Sequence, residues 1–282
     1  MTEGGDDREW DGSGEGMTTP LGVTSSGCLH EVGVLRPLVR FEATPGLDVT
    51  MMVPGAIVGV LLAGGQSRRM FAGGDRGAAA AGGDKGLLDM AGQPMLAHVI
   101  ERIRPQVGAM VINANGDPAR FAAFGLPVAA DTVGGFVGPL AGVLAGMRWS
   151  RANVPEASHI ASVSTDAPFV PVDLVARLAE GLLGNAIALA RSGGEVHPVI
   201  GLWPVALADD LEAALKDGVR KVLAWTDRHG TSIVDFAVTP VQTADGERFL
   251  DPFFNANTPG ELDEARALLA ARTGFGRSPL NS

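Results

Sequence analysis

From Ile57 onward, short unbroken apolar runs alternate with stretches in which apolar residues recur every three or four positions. The runs predict buried strands and the spaced stretches predict amphipathic helices. Ile57–Leu62 (IVGVLL) opens the series as a strand. Pro94–Ile103 has helical spacing, with Leu96, Val99, Ile100 and Ile103 along one side and Pro94 near its start. Ala109–Ala114 predicts a second strand, Asn115-Gly116-Asp117-Pro118 a turn into a short helix, and Pro127–Ala130 a third, short strand. A helix over Leu140–Ser150, the strand His159–Ser164 and a helix over Val172–Leu183 follow. Ala186–Ala190 and Pro198–Trp203, on either side of Ser192-Gly193-Gly194-Glu195, predict a hairpin-like pair. Helices over Pro204–Leu215 and Val219–Arg228 are divided by Gly218, and Ser232–Val238 predicts the last strand. The closing helix takes Thr258 as its N-cap, with Pro259 at N1 and Glu261 at N3.

Strands alternating with helices predict an α/β fold, a Rossmann-like and mostly parallel sheet with helices on both faces. In such sheets ligands sit beyond the carboxyl ends of the strands, near the point where strand order reverses. Gly64, Asn113, Asp131 and Asp166 all fall at predicted strand ends and are candidates for one site. Asn and Asp are also the commonest turn formers, so each position alone could be a plain turn.

Composition changes this picture mainly at the amino terminus. Residues 1–52 combine Gly, Ser, Thr, acids and scattered prolines without a sustained apolar period, and read as a disordered extension before a domain at 53–275 and a short tail at 276–282. Of the formal net charge of −10, residues 1–50 contribute nine acids and three arginines, or −6, which leaves an ordinary −4 for the remaining 232 residues. That balance argues against a nucleic-acid partner, which needs a basic footprint. The single cysteine, Cys28, can form no internal disulfide and no cysteine-based zinc site. Glycines and charges interrupt every apolar run short of a membrane span, and the acidic start lacks a secretory signal. A cytoplasmic protein, monomer or weak oligomer, with no membrane partner is expected.

The chemistry concentrates in GVLLAGGQSRRM, residues 59–70, and in GGDKGLLDMAGQP, residues 82–94. A buried strand running into Gly64-Gly65 and then Ser67, Arg68 and Arg69 suits a polyphosphate. Glycines let backbone N–H groups turn onto an anion, while Arg69 and Lys85 can supply charge. Neither the P-loop nor the G-x-G-x-x-G pattern is present. Lys85 is one of only three lysines against nineteen arginines, which singles it out.

A strand ending in Leu-Ala-Gly-Gly-x-Ser-x-Arg-Met and followed by Asp-Lys-Gly resembles the nucleotide signature of the molybdenum cofactor guanylyltransferases, which join GMP from GTP to molybdopterin. Related sugar-nucleotide and isoprenoid cytidylyltransferases usually carry Ala-Ala-Gly where this chain has Ala63-Gly64-Gly65, so the resemblance favours the guanylyltransferase branch. It implies a nucleotide-diphospho-sugar transferase-like three-layer fold, Mg²⁺ as cofactor and GTP and molybdopterin as substrates. Molybdenum-cofactor biosynthesis or acceptor enzymes are candidate partners. It also implies that Leu62, Ala63, Gly64, Gly65, Lys85, Asn113, Asp131 and Asp166 contact the nucleotide. Asp166 would hold the metal, and Lys85, with Arg69, would act on the phosphates. Asn113 and Asp131 match family positions that contact the nucleotide, and a carboxylate or amide oxygen can read the N1–H/N2–H₂ edge of guanine. His197-Pro198, Arg220-Lys221 and Asn255-Ala256-Asn257-Thr258-Pro259 resemble segments on the acceptor side.

One departure from the family stands out. Thirteen residues, Phe71 to Gly83, separate Met70 from Asp84-Lys85, and they contain Gly-Gly-Asp-Arg-Gly, an echo of Gly82-Gly83-Asp84-Lys85-Gly86. Arg76 is therefore a rival to Lys85, although the family pattern continues unbroken only after Lys85. Doubling a flexible loop costs about 0.6 kcal/mol in closure entropy, which a site can survive. Three readings stay open: guanylyl transfer, transfer from CTP or to another phosphorylated acceptor, and a nucleotide-binding paralogue disabled by the insert.

Overall fold

A computed structural model of the chain describes residues 56–63, 84–134 and 138–274. The chain divides into two units, Met1–Val49 and Thr50–Ser282, and the first lies wholly outside the described residues. In the second, strand β1 (Ile57–Leu62) is followed by a 3-10 turn at Lys85–Leu87, a ribbon of β2 (Asp89–Met90) and β3 (Gln93–Pro94), and helix α1 (Met95–Ile103). Strand β4 (Ala109–Asn113), a 3-10 segment at Pro118–Phe124 and strand β5 (Val128–Ala129) come next. Helix α2 (Pro139–Asn153), strand β6 (His159–Ser164) and helix α3 (Leu174–Glu180) lead to the hairpin of β7 (Ile187–Ser192) and β8 (Glu195–Pro204). Helices α4 (Ala208–Lys216) and α5 (Val222–Thr226) precede β9 (Thr231–Phe236), a hairpin of β10 (Thr239–Thr243) and β11 (Gly246–Leu250), and the closing helix α6 (Pro259–Gly274).

Seven strands form one sheet in the order β5-β4-β1-β6-β8-β7-β9. Only β8 runs against its neighbours, β6 and β7; the remaining pairs are parallel. The chain builds outward from β1 through β4 to β5 and then returns to the other side of β1 with β6, so strand order reverses between β1 and β6. Period-2 alternation along β1 supplies both faces. Ile57 and Leu61 join α1 and α3 through Leu96, Val99, Ile103, Leu174 and Leu178, whereas Val58 and Val60 join α2, α4 and α5 through Leu140, Leu144, Leu211 and Trp225. The result is the three-layer, mostly parallel architecture expected. A smaller cluster, with Met90, Phe169, Leu250 and Leu262, seats the second hairpin and α6 against the domain.

Several expected boundaries move. The helix expected over Val172–Leu183 is only Leu174–Glu180, and the chain beyond it turns into left-handed conformations at Leu183 (φ 47°) and Gly184 (φ 85°). Strand β8 absorbs Pro204, so the next helix starts at Ala208 after a 3-10 turn, and the one expected over Val219–Arg228 contracts to Val222–Thr226. Nor is the strand at Thr231–Phe236 the last, since β10 and β11 follow it.

Candidate active site

At the switch point the ends of β1, β4 and β6 are tied together by backbone hydrogen bonds. Ala63 N donates to Asn113 O at 2.9 Å and Thr165 N donates to Leu62 O at 3.3 Å. Helix α2 lies directly on this edge because it presents glycines. A Cβ on Gly142 would fall 2.4 Å from Asn113 Oδ1 and 2.8 Å from Leu62 Cδ2, and one on Gly146 would fall 2.5 Å from Val60 Cγ2. Asn113, 4% exposed, is thereby held with its Nδ2 donating to Ala129 O (3.1 Å) and Asp131 Oδ1 (3.0 Å). Asn115 grips the same aspartate, Nδ2 to Asp131 Oδ2 at 2.8 Å, and accepts the Asp131 N–H at 3.0 Å. An ionised carboxylate has about four acceptor sites, so Asp131 keeps lone pairs for a further donor.

Lys85 brings the second half of the site. Its Nζ lies 3.0 Å from Asp166 Oδ2 and 2.6 Å from Asn257 Oδ1, with both members of the ion pair nearly buried, at 13% and 14% side-chain exposure. The other carboxylate oxygen of Asp166 accepts the Ser164 hydroxyl. Asp84 caps the 3-10 turn that carries Lys85, its Oδ1 accepting from Gly86 N at 3.1 Å. Gly86 is packed so closely that a Cβ there would lie 2.9 Å from the Thr165 side chain. Burial pushes the Asp84 carboxyl above the usual carboxylate range, against the opposing pull of the Gly86 N–H and the Arg120 cation, and the nearby charge of Asp166 pushes the same way as burial. Asn257 is aimed by the start of α6. Asn257 N and Thr258 N both donate to Glu261 Oε2 (2.7 and 2.9 Å), and Glu261 N returns a hydrogen bond to Thr258 Oγ1 at 3.3 Å. This is the capping box predicted from Thr258 and Glu261.

Further along the same edge, β8 runs past its last pair with β6, Ser162 opposite Gly201. Its register against β7 then shifts between Leu189 and Ala190. Trp203 Nε1 donates to Ser162 Oγ and Ser162 Oγ to Val199 O, both at 2.7 Å, which pins the irregular stretch. Beyond it, Ser192 Oγ donates to Asp251 Oδ1 at 2.7 Å and also lies 2.7 Å from His197 Nε2. A serine hydroxyl has one proton, and the carboxylate can only accept, so His197 must carry its proton on Nε2. Burial pushes the His197 imidazole below its ordinary range, against the carboxylates of Asp251 and Glu195.

Of the residues singled out in the sequence, Leu62, Ala63, Asn113, Asp131, Lys85 and Asp166 therefore converge on one edge, in two hydrogen-bonded groups. Gly64, Gly65, Arg69 and the rival Arg76 lie outside the described residues. Arg220 donates to the carbonyls of Leu215 and Val219 at the end of α4. Sequence reasoning missed Ser164, Asp84, Asn115 and Asp251, although Asp84 directly precedes Lys85 and Ser164 and Asn115 each lie two positions from Asp166 and Asn113. For a metal, Asp166 offers a hard carboxylate at the strand edge that already meets a cation. That set suits a divalent ion taking one or two carboxylates and filling its shell with phosphate oxygens and water. Among the described residues no three His, Cys, Asp or Glu side chains converge as an all-protein cage would require.

The chain is similar to known proteins in sequence and in fold. The model of the MobA-like NTP transferase domain matches residues 59–231. The molybdenum cofactor guanylyltransferase of Bradyrhizobium sp. (strain ORS 278) is 50% identical over 184 residues, 64% of this chain and 82% of that protein. The enzyme of the same description from Rhizobium meliloti (strain 1021) is 52% identical over 184 residues, 64% of this chain and 83% of the relative. The solved structure of molybdopterin-guanine dinucleotide biosynthesis protein A from Archaeoglobus fulgidus shares the fold, with a TM-score of 0.52 over 76% of this chain and 98% of that one at 20% identity. The chain belongs to the MobA-like NTP transferases and, among them, to the molybdenum cofactor guanylyltransferase family.

Proposed function

We propose that the protein transfers GMP from GTP to the phosphate of molybdopterin and releases pyrophosphate. A phosphate oxygen of the acceptor forms a bond to the α-phosphorus, the bond from that phosphorus to the bridging oxygen breaks, and pyrophosphate leaves with the electron pair. Charge grows on oxygens that are already negative, so positioning and neutralisation supply most of the catalysis. The observation that carries the reading is the Lys85–Asp166 pair at the switch point, with Asn113 and Asp131 beside it on the same edge.

In this reading the ammonium of Lys85 leaves Asp166 for the nucleotide phosphates and stabilises the charge that develops there. Asn257 Oδ1 keeps it on the edge during the exchange. Asp166, with Ser164 fixing one oxygen, is the residue that would hold Mg²⁺, which when bound supplies further neutralisation at the phosphates. Asp131, steadied by Asn113 and Asn115, accepts from the guanine edge. Leu62 and Ala63 end the strand that leads to Gly64, Gly65 and Arg69, which serve the β- and γ-phosphates. His197 and the Asn255–Thr258 segment face the acceptor.

Thermal denaturation with each nucleotide and Mg²⁺ tests the assignment. GTP at a hundred times its Kd should stabilise the protein by about 2.7 kcal/mol, and CTP or ATP at the same concentration by far less. Stabilisation by CTP and not by GTP would remove the guanylyl assignment.

A further inference from the structure

Two loops that reach the edge from different parts of the chain meet on one side chain. Arg120 lies in the 3-10 segment after β4. Its Nη2 donates to the carbonyl of Asn115 at 2.7 Å and its Nη1 to the carbonyl of Asp117 at 2.6 Å. Its Nε stands 3.9 Å from Oδ2 of Asp84, and its guanidinium carbon lies 4.5 Å from the centroid of the Phe121 ring. On one side of this contact, Asn115 is hydrogen-bonded twice to Asp131. On the other, Asp84 caps the turn that bears Lys85, and Gly86 of that turn rests on Thr165 with no room for a Cβ.

We propose that Arg120 is a positioning residue that links the seat of the base at Asp131 to the placement of Lys85 at the phosphates, so that recognition of the base is felt in the chemical step as well as in binding. The proposal rests on the reading above, in which Asp131 accepts from guanine and Lys85 serves the phosphates. Three features favour the link. The guanidinium is a rigid planar fork, so a shift of the Asn115–Asp117 loop carries the donor facing Asp84 with it. The Phe121 ring backs that plane and limits its rotation. Asp84 is only 7% exposed, and a buried carboxylate holds its place through the partners that compensate its charge, of which Arg120 is one.

The test compares GTP with inosine triphosphate, which lacks the 2-amino group of guanine, in a pyrophosphate-release assay with molybdopterin and Mg²⁺. In the wild type, inosine triphosphate should lower kcat roughly tenfold as well as raise KM. Arg120→Lys keeps a cation beside Asp84 but cannot join two carbonyls and a carboxylate. It should bring kcat with GTP down to the level seen with inosine triphosphate while KM still favours GTP. Arg120→Met should do the same, and each variant is first shown to melt like the wild type. A kcat gap between the two nucleotides that survives in a folded variant overturns the link. So does a wild type whose kcat is equal for both while KM favours GTP, an arm that needs no variant. Equal kcat and equal KM in the wild type would instead overturn the reading of Asp131, and absence of pyrophosphate release from GTP would overturn the proposed function.

Discussion

Lys85 is bound at once to a carboxylate and to an amide oxygen, 81 and 172 residues away in sequence. Its contact with the phosphates strengthens as charge develops, so Lys85→Ala should lower kcat by about two to three orders of magnitude with little change in GTP affinity. Single-turnover and binding measurements separate the two quantities. Arg76→Ala should leave both near the wild-type values; the reverse pattern would move the role to Arg76. Burial pushes the His159 imidazole down to about 4 from 6.5. Between those values the unfolded chain binds more protons than the folded one, so this group's contribution is present above pH 6.5 and lost as pH falls toward 4. Asp84, whose carboxyl is raised, has the opposite sign, since its contribution is full below its ordinary value of 3.8 and lost as pH rises through its raised one. Melting curves from pH 7 to pH 4 should be flatter for His159→Gln than for the wild type, and an unchanged slope would contradict the assignment. Asn113, Asp131 and Asp166 were legible because strand ends announce themselves as apolar runs that stop at a polar residue, and Lys85 because lysine is rare in this chain and Asp-Lys-Gly follows the glycine loop. The contact of Lys85 with Asn257, named only on the acceptor side, and the roles of Asn115 and Arg120 were not, because which oxygen faces which nitrogen is set by packing between distant segments.

At the level of elements, the start of α6 does two jobs. The capping box satisfies its first N–H groups, and Glu261 also orients Asn257, which holds Lys85. Glu261→Ala should therefore cost about 1 kcal/mol of stability and lower turnover as well, whereas Thr258→Ser, which keeps the hydroxyl, should do neither. Denaturant unfolding and initial rates measured on the same preparations distinguish a loss of stability alone from the double effect. The long periodic helices and the capping box followed directly from residue spacing. The β10–β11 hairpin did not, although Gly246 directly follows its Ala244-Asp245 turn. Pro240 weakens the strand pattern, and most of its positions face solvent, so no apolar alternation betrays it. Strand β8 shows the same limit, because the irregularity after His197 depends on Ser162 and Trp203 meeting across the sheet.

For the molecule as a whole, alternating strands and helices gave the α/β class, but the order β5-β4-β1-β6-β8-β7-β9 with β8 reversed rests on pairings that no local pattern encodes. That order places β1 next to both β4 and β6 and so brings Asn113 and Asp166 to the two sides of Leu62. Residues 1–50 carry six of the ten net negative charges and none of the groups assigned to the site. A chain that begins at Met51 should melt and turn over like the full-length protein, and a drop of several degrees in Tm would mean that the extension packs on the domain. Transfer of GMP through the Lys85–Asp166 edge can be followed with label from [α-³²P]GTP. Purified protein with molybdopterin and Mg²⁺ should move the label into a molybdopterin–guanine dinucleotide with one unlabelled pyrophosphate released per transfer, and Lys85→Ala should bind GTP yet fail to move it. Label that stays in GTP with the wild type, or that moves from [α-³²P]CTP in its place, would contradict it.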